Sequence, residues 1–250
     1  MESKRLLECL DADFHRLREV VAAADLTAMV PSCPEWTVTD LARHVGAVYL
    51  HKVETMRLGT HPAEWPPPGL NSEDPVALLD RAYPALSAEF AARAPESHAF
   101  TWYEPDQTVG FWIRRMAQET VIHRVDAELG AGAEQASIPS DLAHDGIDEF
   151  LIAFVAYGAA YPEEYASLLA DSDGRAVRLS TPDTAWLVRP TVAGIEVAVG
   201  DADTAAATVH GDPADLLLWV WGRAGNDRVT ITGDPALVAY LRRVFADGAQ

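Results

Sequence analysis

Glu119 and His123 stand four residues apart in FWIRRMAQETVIHRVDAELG, the segment from Phe111 to Gly130. In a helix that spacing puts both side chains on one face, one turn from each other. A 100° wheel adds Trp112, Met116 and Ile122 to the same face and sends Arg114, Arg124 and Glu128 to the far side. The pair is therefore expected to point inward, where a carboxylate is costly unless it is paired or bound to a metal. A Glu–His hydrogen bond or a solvated face accounts for the spacing as well, so the pair alone does not decide. His44 lies among Leu41, Val45 and Val48 in an earlier apolar-periodic segment, and His51 comes seven residues on. A lone core histidine is the simpler reading of either. Taken together, His44, Glu119 and His123 form a two-histidine, one-carboxylate set, which is the pattern of catalytic zinc with an open coordination position.

Other groups are ambiguous. Asp126 comes one turn after His123 and either orients that imidazole or sits at the surface. Cys33 has no neighbour in sequence that would lower its pKa, which favours a structural loop cysteine over a nucleophile. Trp219 and Trp221 read as core. Arg223 either caps the end of their helix or holds a substrate carboxylate in a bidentate fork. There is no H-E-x-x-H, G-x-S-x-G, G-x-G-x-x-G or Walker A sequence.

The elements that must position these residues change character along the chain. Up to about residue 158 the apolar period is helical. Helices are expected over 2–28, from a Thr37 or Thr39 cap to Leu58 before Gly59, from Pro75 to about Ala94 with a kink at Pro84, over 108–129 before Gly130, and over 140–157. Beyond about residue 170 the period becomes two, in RAVRLS, TAWLVRP, GIEVAVG and TAAATVH, with a further short strand at 228–232 and helices at 213–222 and 234–246. The fold class is α+β: a four-helix bundle over 1–165, then a small α+β domain over 166–250, with the boundary between Tyr161 and Gly174.

The composition limits the partners. The chain has 250 residues, 19 basic against 38 acidic, and a formal net charge of −19. That balance excludes binding by phosphate neutralisation and argues against an anionic membrane surface. Two cysteines, Cys9 and Cys33, do not make a disulfide scaffold. No stretch has signal-peptide or membrane-span character, so a cytoplasmic protein is expected. The preference for Arg over Lys, with abundant Ala, fits a GC-rich bacterial genome.

Three segments carry a family resemblance. CPEWTVTDLARHVGAVYLH (Cys33 to His51) resembles the C-P-x-W-S/T-x-x-D-L-x-x-H motif of the mycothiol-dependent maleylpyruvate isomerase family. RRMAQETVIHRVDAE (Arg114 to Glu128) resembles its second motif, and GDPADLLLWVWGR (Gly211 to Arg223) its C-terminal one. The resemblance implies a DinB-like four-helix bundle and a C-terminal domain related to sterol carrier proteins. It implies zinc, or another divalent metal, on His44, Glu119 and His123, with mycothiol as thiol cosubstrate and a small-molecule electrophile as substrate. It implies an assisting arginine, for which Arg223 is the choice here. Many members have His just before the Glu, where this chain has Gln118, a departure that bears on substrate or subgroup. A metal-activated thiolate would either isomerise a cis double bond or remain on the electrophile. A non-catalytic metal- or ligand-binding module and a metal-dependent hydrolase are the alternatives on the same scaffold. The hydrolase lacks an evident spare inward Glu as base. No nucleic-acid or membrane partner is expected, and the protein is expected as a monomer or homodimer.

Overall fold

The structure, a computed structural model, describes residues 1–159, 162–200 and 204–248. It divides into two compact units, Met1–Ala136 and Ser137–Gln250.

The first unit is a bundle of four helices: α1 (Ser3–Ala23), α2 (Val38–Leu58), α3 (Pro75–Ala91) and α4 (Val109–Ala131). The stripe Leu6, Leu10, Phe14, Leu17 and Val21 buries α1 against α4. This helix stops before the expected Ala28 because Asp25 accepts from the backbone N–H and hydroxyl of Thr27, closing a local turn. A capping box starts α2: Thr37 accepts from the Asp40 N–H, and the Asp40 carboxylate accepts from the Thr37 N–H. Gly59, at φ +70°, ends it. Asp74 and Pro75 start α3, which continues through Pro84.

Two features of this unit differ from expectation. Between α1 and α2 the chain forms a small antiparallel hairpin, β1 (Met29–Val30) with β2 (Cys33–Thr37). In addition, Gly130 does not stop α4. A Cβ there would lie 3.1 Å from Val38 and 3.2 Å from Val30, so this glycine permits close packing, and Gly132 at φ +62° makes the stop. The far side of α4 is also not a solvent face. Arg124 and Glu128 are fully buried, because α1 covers them and supplies Asp13 and Arg16 as partners.

The second unit begins earlier than the expected boundary near residue 165. Residues 140–157 continue the helical periodicity, but their apolar face packs within the second unit. Helix α5 (Ser140–Glu149) packs on α7 (Pro213–Val220), and its π-helical extension, Phe150–Ala156, brings Phe150 against Trp221 and Phe245 at ring distances of 4.6 and 5.3 Å. Tyr161, one limit of the expected boundary, lies outside the described residues. A short helix not expected from sequence, α6 (Pro162–Leu169), precedes the sheet. The strands are β3 (Ala176–Ser180), β4 (Ala185–Thr191), β5 (Gly194–Val199), β6 (Ala205–His210) and β7 (Thr230–Gly233), in spatial order β5-β4-β3-β6-β7. Among these strands only β3 and β6 run parallel; α8 (Pro235–Gly248) packs on them. Among the described residues, no helix is long and apolar enough to cross a membrane.

Candidate metal centre

Helices α2 and α4 pack side by side, and this contact assembles the three residues. His44 occupies the second turn of α2, and its Nε2 lies 3.1 Å from Glu119 Oε1. The Nε2 of His123 approaches the same oxygen at 3.3 Å. One donor atom from each of the three lies within 4.8 Å of the others. His51, two turns further along α2, is not part of this group. It faces Trp65 and His61 instead, with Lys52 Nζ 3.2 Å from its Nδ1.

Neighbouring groups fix the orientation of each donor. Asp126 Oδ2 accepts from His123 Nδ1 at 2.9 Å. With the proton on Nδ1, the lone pair of a neutral His123 is on Nε2, facing Glu119 and His44. Asp126 is in turn held by Ser32 Oγ at 2.5 Å and faced by Cys33 Sγ at 3.8 Å. Both come from the hairpin region, so the hairpin positions the aspartate. Arg115, one turn before Glu119, donates Nη2 to Glu119 Oε2 at 3.1 Å and leaves Oε1 to the histidines. The Trp36 indole stands over His44, with ring centroids 4.7 Å apart. Sequence reasoning gave no role to Ser32, Trp36 or Arg115. The C-P-x-W pattern contained Trp36 without placing it, and the i,i+4 spacing of Arg115 and Glu119 was the available signal for the arginine.

The electrostatics mark a site that retains positive charge. Burial pushes the Glu119 carboxyl up, but the His123 charge and hydrogen bonds from His123 and His44, with Arg115 nearby, hold it well below the usual carboxylate range. Burial pushes His123 down, yet the Glu119 charge and the Asp126 bond raise it to about 9. A proton on His123 thus sits where two imidazole nitrogens and a carboxylate oxygen would otherwise share a cation. Two nitrogens and one oxygen suit zinc or a similar divalent ion, and the set contains no thiolate. The residues fit the metal.

A cavity of about 570 Å³ opens beside His44, walled by Trp36, Trp65, Glu35, Asp40 and Arg43. In the second unit, Trp219 and Trp221 are buried core residues. Arg223 comes after α7 and donates Nη1 to the Trp221 carbonyl at 2.7 Å, an arrangement that caps the helix end.

Fold and site define a class: two-domain proteins in which a four-helix bundle presents a two-histidine, one-carboxylate donor set and precedes a small α+β domain. The model of the mycothiol maleylpyruvate isomerase N-terminal domain matches residues 7–128, and that of the corresponding C-terminal domain matches residues 141–239. The chain belongs to the mycothiol-dependent maleylpyruvate isomerase family. The crystal structure of the mycothiol-dependent maleylpyruvate isomerase has the same fold, with a TM-score of 0.63 and 17% identity over 94% of this chain and 95% of that one. A histidine-to-alanine mutant of that enzyme gives 0.61, with the same identity and coverage. A search of curated proteins gives no match.

Proposed function

We propose that the protein is a metal-dependent, mycothiol-using enzyme. In this reading the thiol adds to an electrophilic small molecule and is either expelled after bond rotation, giving cis–trans isomerisation, or retained, giving S-transfer. The observation that carries the reading is the convergence of both histidine Nε2 atoms on one oxygen of Glu119. When bound there, a divalent metal supplies a depressed thiol pKa, and with it a thiolate at neutral pH.

The chain's own residues do the rest. Asp126 fixes the tautomer of His123, and Arg115 holds Glu119 so that one oxygen faces the histidines. The Trp36 indole packs against the His44 imidazole and restricts its orientation. Arg223 is assigned the substrate carboxylate, for which a guanidinium offers a bidentate fork.

The test combines metal analysis with turnover. The purified protein should carry about one divalent ion per chain, and His44→Ala, Glu119→Ala and His123→Ala should each lose it. Maleylpyruvate or a related electrophile should turn over only with mycothiol present. A wild type without stoichiometric metal under metal-replete conditions, or activity indifferent to the thiol, overturns the reading.

A further inference from the structure

Lys52 sits half-buried on α2, and its Nζ stands 4.8 Å from the ring centroid of the fully buried Trp112 on α4. Nζ hydrogen-bonds to His51 Nδ1 at 3.2 Å, and among the described residues no carboxylate oxygen pairs with it. Glu119, whose charge reaches Lys52 across the α2–α4 contact, commits Oε2 to Arg115 and Oε1 to His44 and His123. His51 is no substitute anion: burial, with the Lys52 charge and His61, pushes its imidazole down to about 4, so Nδ1 serves as a neutral acceptor. An indole face is a weaker partner for an ammonium than a carboxylate is, so this setting suits the neutral amine. Burial pulls Lys52 down, Glu119 on α4 pulls it partly back and Arg115 on α4 adds to the fall, leaving it at about 8. About a tenth of the side chain is then free amine at pH 7, against well under a thousandth for an ordinary lysine. The cluster is not sealed. Lys52, His51 and Trp65 keep part of their surface in solvent, and His61 is exposed. Its walls are rings: Trp112 beside Nζ, Trp65 at 5.1 Å from His51 and Phe100 at 4.8 Å from His61, both edge-on.

We infer that Lys52 is a nucleophilic lysine that captures small aldehydes with an aromatic or apolar body as an imine. An amine desolvated among rings and lacking a counter-ion is the usual setting of an imine-forming lysine. The Nζ lone pair adds to the carbonyl carbon, and the carbonyl oxygen takes up the proton that the nitrogen gives up. The resulting carbinolamine loses that oxygen as water and leaves a C=N bond. Only the aldehyde enters and only water leaves, so no oxidant or reductant is needed. His51 Nδ1 accepts from Nζ and holds it beside the indole. The surrounding rings give an apolar aldehyde a surface to pack on, while a charged one meets Glu119 and Arg115 together and gains little from either. The capture uses none of His44, Glu119 and His123 as ligands and stands independently of the metal and thiol reading.

The chain carries an internal comparison, because it has two lysines and Lys4 is exposed on α1. The test treats the full-length protein with benzaldehyde and cyanoborohydride at about pH 7.5, and peptide mass spectrometry follows the benzylamine formed at each lysine. Lys52 should be modified roughly ten-fold or more faster than Lys4, since it holds far more free amine at that pH. Its rate should level off above about pH 8, whereas that of an ordinary lysine keeps rising toward about 10.4. With glyoxylate in place of benzaldehyde the Lys52-to-Lys4 ratio should fall several-fold. In concentrated urea the two lysines should react alike, because the desolvation comes from the packing of α2 on α4. A Lys52 modified no faster than Lys4, or with a rate still climbing at about pH 10, overturns the nucleophile. A preference that persists in urea overturns its origin in the fold, and a ratio as high with glyoxylate overturns the choice of an apolar aldehyde. The measurement needs no metal, thiol or variant, so its outcome is separate from that of the proposed enzymatic function.

Discussion

At the scale of single residues, the site depends on groups that do not themselves face a metal. Asp126 is fully buried and bonded to both His123 and Ser32. Asp126→Asn keeps the shape but lets the amide present N–H to His123 Nδ1 and favour the wrong tautomer. Metal affinity should fall about 10- to 100-fold, measured by competition with a chelator, while thermal unfolding of the metal-free protein changes little. Arg124 presents a different case. It joins Asp13 and Glu128 at 3.0 and 2.8 Å in a buried cluster, so Arg124→Ala strands the Asp13 carboxylate without its cation and leaves Glu128 with Arg16 alone. The expected loss is about 3–5 kcal/mol in urea unfolding. Lys52 has a pH signature. Burial pushes its ammonium down to about 8, and its Nζ lies 4.8 Å from the Trp112 ring centroid. The folded state thus releases that proton at lower pH than the unfolded chain does. Between pH 8 and the ordinary lysine value the unfolded state holds more protons, so stability rises with pH. Wild type should gain stability relative to Lys52→Met across that window in parallel urea titrations; a flat difference would refute the burial of the charge.

At the scale of elements, the α2–α3 and α2–α4 contacts set how far His44 stands from Glu119. Gly46 makes the first of these contacts tight: a Cβ there would meet Leu78 Cγ on α3 at 2.6 Å. Gly46→Ala must therefore push α3 outward or twist α2, at a cost of about 1–3 kcal/mol. Because His44 lies only two residues before it, metal affinity should drop together with stability, a coupling that chelator competition on the folded variant can read. Helix α4 is the central element of the first unit, presenting Glu119 and His123 toward α2 and ion-paired toward α1. That is why a wheel built on its sequence assigned Arg124 and Glu128 to solvent: the wheel sees polarity, and only the neighbouring helix shows that the polarity is matched. Its Glu119–His123 spacing, in contrast, was legible at once, since i,i+4 geometry is a property of one helix and needs no partner.

At the scale of the molecule, the metal and the fold should be linked. A ligand that binds only the native state stabilises it by about 2.7 kcal/mol at a hundred-fold excess over Kd. Zinc should raise the unfolding midpoint of wild type and leave that of His44→Ala unmoved, since the three donors come from two helices and meet only when the bundle is formed. The division of the chain at Ala136 and Ser137 has a similar origin in tertiary contact. Helical periodicity resumes after it at residue 140, and the face of α5 buries against α7 within the second unit.

The sequence by itself determined the two-part α+β order, the starts of α2 and α3, the strands after residue 175, the Glu119–His123 pair and the family. Each of these is local or motif-borne: a cap, a period, a spacing or a short pattern of side chains. The motif pointed to His44, and the tertiary structure brought it beside that pair, since His44 and His51 share a face on a wheel and the packing of α2 on α4 separates them. It also decided that Ser32, Trp36, Arg115 and Asp126 surround the donors, that Arg124 is buried, and where the first unit ends. Those outcomes depend on which surfaces meet, and the pairing of surfaces distant in sequence is written in no single segment.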